Sequence, residues 1–127
     1  MRILLVDDDP TIIEVFEMHI QHYYKDCFIC SATNGIEALE MCRDNTFDLV
    51  LTDGKMPKMD GVELSKELKE INYSGVIILL TGYHEMNDGS NLEEFGIAKV
   101  LLKPVKLEDV RACIDLVRDK LSSNRQN

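Results

Sequence analysis

The sequence predicts a single parallel α/β domain, and three observations predict it. Short apolar runs alternate with longer segments of helical period, and five such repeats fit within 127 residues without strain. Several of the runs are almost continuously apolar, as in strands buried on both faces. The length suits one hydrophobic core and is too short for two ordinary domains.

Taken in order, strands are expected at Arg2 to Asp7, Cys27 to Thr33, Phe47 to Asp53, Gly75 to Thr81 and Ala98 to Leu102. The first helix is expected from about Pro10 to Tyr24, with proline near its first turn and Ile12, Phe16, Ile20 and Tyr23 on one side. Asn34-Gly35 and Asp60-Gly61 punctuate the starts of the second and third helices. A fourth, over Met86 to Phe95, is expected to be short or mobile, because Asn87, Asp88, Gly89, Ser90 and Asn91 are poor interior helix formers. In the last helix Leu107, Val110, Ile114, Val117 and Leu121 recur at alternating three- and four-residue spacings, which is one helical face. The domain is therefore expected over residues 1–121, with 122–127 a polar tail or the start of a linker.

Composition narrows the function classes. The formal net charge is −9, which opposes direct binding to nucleic acid or to an anionic membrane surface, both polyanions themselves. No apolar run reaches the ~18 residues a membrane span needs, and the amino terminus does not resemble a signal peptide, so a cytoplasmic protein is expected. Cys27-Phe28-Ile29-Cys30 has the spacing of a redox or zinc knuckle. It lies in an expected strand, however, where residues three apart face opposite sides with Cα atoms roughly 10 Å apart, beyond disulfide reach. Cys42 and Cys113 fall in helical patterns and read as small buried hydrophobes. His19 and His22 are three apart on one helix without a third ligand, and His84 reads as a loop residue, so the histidines make no metal site.

The chemistry-bearing residues coincide with strand ends. Asp7, Asp8 and Asp9 follow the first strand, Asp53 the third, Thr81 the fourth and Lys103 the fifth. In a parallel sheet all these ends share one edge, and ligands of open α/β sheets bind outside that edge. Asp9 ahead of Pro10 could cap the first helix alone, but capping does not require three acids. Clustered carboxylates repel one another unless a cation joins them, and oxygen ligands of this kind suit Mg²⁺. Asp7, Asp8 and Asp53 together with Mg²⁺ and the Lys103 ammonium sum to neutrality. A carboxylate so placed can attack phosphorus, since phosphoryl transfer depends mainly on positioning and on neutralising the phosphoryl oxygens.

These pieces together resemble the receiver domains of bacterial two-component response regulators. The resemblance rests on Leu4-Leu5-Val6-Asp7-Asp8-Asp9, Asn34-Gly35-Ile36-Glu37-Ala38-Leu39, Asp48-Leu49-Val50-Leu51-Thr52-Asp53, Met56-Pro57-Lys58-Met59-Asp60-Gly61, Thr81 and Lys103-Pro104, and covers nearly the whole chain. It implies a flavodoxin-like doubly wound five-stranded parallel sheet of order 2-1-3-4-5 with about five helices. It implies a phosphoacceptor signalling domain rather than a turnover enzyme, with phosphotransfer to Asp53 from a sensor histidine kinase or a histidine phosphotransfer protein. Asp8, Asp53 and the backbone carbonyl of Lys55 would then hold Mg²⁺, with Asp7 acting through water, while Thr81 and Lys103 hold the phosphoryl group. Receivers usually carry Tyr or Phe three residues before this lysine as part of a switch with the threonine. Here that position is Val100, a stiff side chain with no long lever. The response is therefore expected in Gly82 to Phe95 instead. Lys55 and Tyr83 would flank the phosphoryl group, obstruct in-line water and prolong its life. The same pair occurs in receivers that resemble sporulation-type relay intermediates, which favours a phosphorelay or stand-alone role; the downstream target is not specified by these residues.

Two alternatives stand beside this reading. Asp7-Asp8-Asp9-Pro10-Thr11 also fits the Asp-x-Asp-x-Thr motif of haloacid-dehalogenase-type phosphatases, with Asp7 as nucleophile. Such enzymes need a further acidic metal-binding pair, and Asp109 and Asp115 instead fall in the periodic last helix. A receiver-like fold used only for docking is disfavoured, because all the acceptor-site residue types are present.

Overall fold

The computed structural model describes residues 1–82 and 92–125. Five strands, β1 (Arg2–Val6), β2 (Phe28–Ala32), β3 (Leu49–Asp53), β4 (Val76–Thr81) and β5 (Ile97–Leu102), form one parallel sheet of order β2-β1-β3-β4-β5. This is the flavodoxin-like order expected from the sequence, with strand limits shifted by a residue or two. Four α-helices lie among the described residues: α1 (Pro10–Tyr23), α2 (Gly35–Asp44), α3 (Gly61–Glu70) and α4 (Leu107–Arg125). The expected fourth helix is represented there only by a 3-10 helix at Leu92–Phe95; the rest of the Met86 to Phe95 segment, with Tyr83 and His84, lies outside the described residues.

The side-chain alternation of each strand divides the core in two. Ile3, Leu5, Leu49 and Leu51 point to the α1 and α4 side, where they meet Phe16, Ile20, Val110 and Ile114. Leu4, Val6 and Val50 point to the α2 and α3 side, against Ala38, Leu39, Leu64 and Leu68. Helices following adjacent strands β1 and β3 thus cover opposite faces. That divergence opens the sheet edge between them, which is where ligands of such folds sit.

Local signals start the helices. Asp9 and Asn34 cap α1 and α2 by accepting from Thr11 N and Glu37 N, each at 2.9 Å. Asp60 caps α3 in a reciprocal box with Glu63. The buried stripe of α1 differs from expectation. It comprises Ile13, Phe16 and Ile20, and continues into the cap residue Tyr24. Ile12 and Tyr23 are exposed, because the stripe begins one residue later and Tyr24 takes the closing position on α4. Its hydroxyl lies 2.7 Å from an Asp115 carboxylate oxygen and 3.1 Å from the Arg111 carbonyl. Helix α4 runs on through Ser122 and Ser123, which are exposed in its last turns. Cys27 and Cys30 are free and half-buried, on opposite sides of β2, and Cys42 and Cys113 are free and buried.

The division of α4 into a buried and a wet face is directly testable. Ile114 is fully buried and Leu116, two residues on, is 55% exposed. Ile114→Ala should cost about 2–5 kcal/mol in urea unfolding, whereas Leu116→Ala should stay within about 0.5 kcal/mol of the parent.

Candidate phosphoryl-acceptor and metal site

The sheet delivers the expected residues to one edge. Asp7 directly follows β1, and its backbone N–H donates to Ala32 O at 3.1 Å. Asp53 is the last residue of β3, Thr81 the last of β4, and Lys103 directly follows β5 with its N–H on Thr81 O at 2.8 Å. Asp7, Asp53 and Thr81 are buried, whereas Asp8, Lys55 and Lys103 are exposed. One carboxylate oxygen from each of Asp7, Asp8 and Asp53 falls within a cluster no more than 4.8 Å across. The Lys103 Nζ donates to Asp53 Oδ1 at 2.5 Å, a charge-assisted contact that draws the lysine over the acids.

Burial pushes the Asp7 carboxyl above its ordinary range, and the charges of Asp53 and Asp8 push the same way. The Asp9 N–H, 2.9 Å from Asp7 Oδ1, and the Lys103 charge oppose them. Three acids held this close, two of them buried, form a donor set that a hard divalent cation satisfies. The residues therefore fit Mg²⁺, with Asp7, Asp8 and Asp53 as the carboxylates able to hold it.

The loop after Asp53 is fixed by backbone contacts. Gly54 N donates to Leu80 O at 2.8 Å, and Gly61 N, at the start of α3, donates to Gly54 O at 3.0 Å. A Cβ on Gly61 would collide with the Asp53 carbonyl oxygen and come within 2.7 Å of Leu79 Cδ1. Glycine is required here by the close approach of two backbones. Sequence reasoning used Asp60-Gly61 as a helix start and missed this second role, for which the sequence offers no separate signal. It likewise assigned Ile12 to the core, whereas Ile12, Phe16, Leu80, Pro104 and Val105 line the same cleft as the acids. Val100 is half-buried and packs on the α2 and α3 side of the core. His19 is half-buried and His22 exposed, and neither joins a metal-ligand cluster among the described residues.

Fold and site thus define a doubly wound α/β module with an acidic, lysine-capped strand edge. Residues 3–115 match the family described as the response regulator receiver domain, and the chain belongs to that family. It is 31% identical over 125 residues to the transcriptional regulatory protein ZraR of Klebsiella oxytoca, covering 96% of this chain and 28% of that protein. The two-component response regulator ORR22 of Oryza sativa subsp. indica is 34% identical over 130 residues, covering 100% of this chain and 18% of that protein. Among solved structures, the response regulator TrrA from Thermotoga maritima, in complex with Mg²⁺-BeF, superposes with a TM-score of 0.78 at 31% identity, covering 91% of this chain and 97% of that one. The chain spans less than a third of the length of those two curated relatives. Receiver domains bind Mg²⁺ at an acidic pocket and are phosphorylated by histidine kinases. The dehalogenase-type reading with Asp7 as nucleophile finds no support in the family match. Asp109 and Asp115 are exposed on α4, and Asp115 is engaged by Tyr24 at the end of α1 remote from Asp7. No helix among the described residues is long and apolar enough to cross a membrane.

The glycine contact generates a prediction. Gly61→Ala forces the Asp53 carbonyl or the start of α3 to shift, at a cost of about 1–3 kcal/mol. Urea unfolding should register that loss. Labelling of the variant by a small phosphodonor should slow relative to the parent under conditions where both are folded.

Proposed function

We propose that the chain accepts a phosphoryl group on Asp53 from a phosphohistidine of a sensor kinase or a histidine phosphotransfer protein, and passes the signal on by conformational change or onward transfer. The observation that carries this reading is the Asp53 carboxylate itself. It is buried at a strand end, grouped with Asp7 and Asp8, and engaged by Lys103 at 2.5 Å. In the transfer, a carboxylate oxygen of Asp53 bonds to phosphorus as the bond from phosphorus to the donor nitrogen breaks, and the electron pair leaves with the imidazole. In this reading Lys103 offsets charge on the phosphoryl oxygens, and the Thr81 hydroxyl, from the end of β4, would donate to one of them. Mg²⁺, when bound by Asp7, Asp8, Asp53 and the Lys55 carbonyl, supplies further neutralisation of the transferring group.

The role is that of a phosphoacceptor, not a turnover enzyme, in the cytoplasm. The charge of −9 supports protein partners with basic surfaces over nucleic acid or membrane. The central test uses acetyl phosphate with intact-mass and peptide mass spectrometry. Wild type should gain one phosphoryl group on Asp53 in the presence of Mg²⁺ and little in its absence. Equal labelling of Asp53→Asn would sink the assignment.

Lys55 lies two residues past Asp53, exposed beside the acidic edge. A side chain of this length would screen phosphorus from in-line water, and its charge suits the dianion that replaces a monoanionic carboxylate. Lys55→Asn should therefore shorten the lifetime of phospho-Asp53 in a decay time course. An unchanged decay would reduce Lys55 to an ordinary exposed loop residue.

A further inference from the structure

We infer that the acceptor cleft carries an apolar wall that selects among small phosphodonors by their acyl group, favouring acyl phosphates with an apolar chain over acetyl phosphate. The inference rests on the reading of Asp53 as acceptor.

The first observation is size. The cleft, open to solvent, has a volume of about 600 Å³. A phosphoryl group with a few metal-bound waters fills roughly 200 Å³ at the ~30 Å³ that liquid water takes per molecule. The remainder lies within the range of small-molecule sites. The second observation is the lining. Asp7, Asp8, Asp9, Asp53 and Lys103 line the cleft together with the apolar Ile12, Phe16, Leu80, Pro104 and Val105. Phe16 and Leu80 belong to the buried core, whose packing holds them in place. Ile12 is 38% exposed on the first turn of α1, one residue ahead of the buried stripe, so its apolar surface serves the cleft rather than the core. Val105 is half-buried and Pro104 exposed, on the segment just past Lys103.

A ligand matching both kinds of lining has an anionic head and a short apolar body, which describes an acyl phosphate. The transfer balances without another reactant. The Asp53 oxygen bonds to phosphorus, the bond from phosphorus to the acyl oxygen breaks, and the donor leaves as a carboxylate. Butyryl and acetyl phosphate release carboxylates of nearly equal basicity, so the chemical step is matched and the two extra methylenes report the wall. Each buried methylene contributes about 0.8 kcal/mol. Partial burial of two in an open cleft corresponds to about a fivefold preference.

The experiment compares second-order labelling rates with butyryl and acetyl phosphate in Mg²⁺ for wild type, Ile12→Thr, Val105→Thr and Val15→Thr. Reading the ratio of the two donors cancels any general effect of a substitution on the acceptor. Val15 is 45% exposed on α1 and does not line the cleft. The expected result is a ratio of about five in wild type and Val15→Thr that falls toward one in Ile12→Thr and Val105→Thr. A ratio near one in wild type, or a preference that survives both cleft substitutions, overturns the inference while leaving Asp53 as acceptor. Label that fails to appear on wild type with either donor, or persists in Asp53→Asn, removes the acceptor reading and this inference with it.

Discussion

Like charges held together in a protein interior need a reason to stay, and the acidic edge of this chain is organised around that problem. Asp7 and Asp53 are buried, Asp8 stands beside them, and the oxygens come within 4.8 Å of one another. Burial and mutual repulsion both disfavour ionisation of Asp7. Lys103 relieves part of this through its contact with Asp53, and a hard divalent cation would relieve the rest.

The backbone around Asp53 turns this electrostatic site into a mechanical one. Gly54 is tied to β4, Gly61 is tied to Gly54, and the first turn of α3 sits directly on the Asp53 carbonyl. Farther along α3, the Lys66 ammonium lies 4.4 Å from the centre of the Phe95 ring, and Lys69 Nζ donates to Glu94 O at 2.5 Å. Helix α3 therefore gives the acceptor strand and the 3-10 helix ahead of β5 a shared support. An isolated cation–π contact of this kind contributes about 0.5–1 kcal/mol at an exposed site. The linkage is therefore soft at its far end and rigid at Asp53, where backbone meets backbone.

On the opposite face, α1 shows how a helix can serve the core and the site at once. Its stripe of Ile13, Phe16 and Ile20 is buried, while Ile12 overlooks the acids. The helix begins immediately after the acidic run because Asp9 and Pro10 start it there, so its first turn is necessarily part of the site. Charge and apolar surface meet at this junction, and the cleft takes its mixed lining from it.

Read alone, the sequence determined the parallel sheet, its five strands, the helix starts at Asp9, Asn34 and Asp60, and the gathering of Asp7, Asp8, Asp53, Thr81 and Lys103 at one edge. These follow from short-range rules: hydrophobic period, capping chemistry and the fact that parallel strands end together. The choice between Ile12 and Ile13 as a core residue was not legible, because adjacent apolar residues both fit the boundary of a helical face and only the docking of the helix on the sheet decides which is covered. The double duty of Gly61 was equally hidden, since a glycine opening a helix needs no further explanation until the Asp53 carbonyl is seen against it. The Lys103 contact to Asp53, the raised ionisation range of Asp7 and the apolar half of the cleft also belong to the tertiary structure alone. They depend on distances and burial between segments far apart in the chain, which one-dimensional periodicity does not encode.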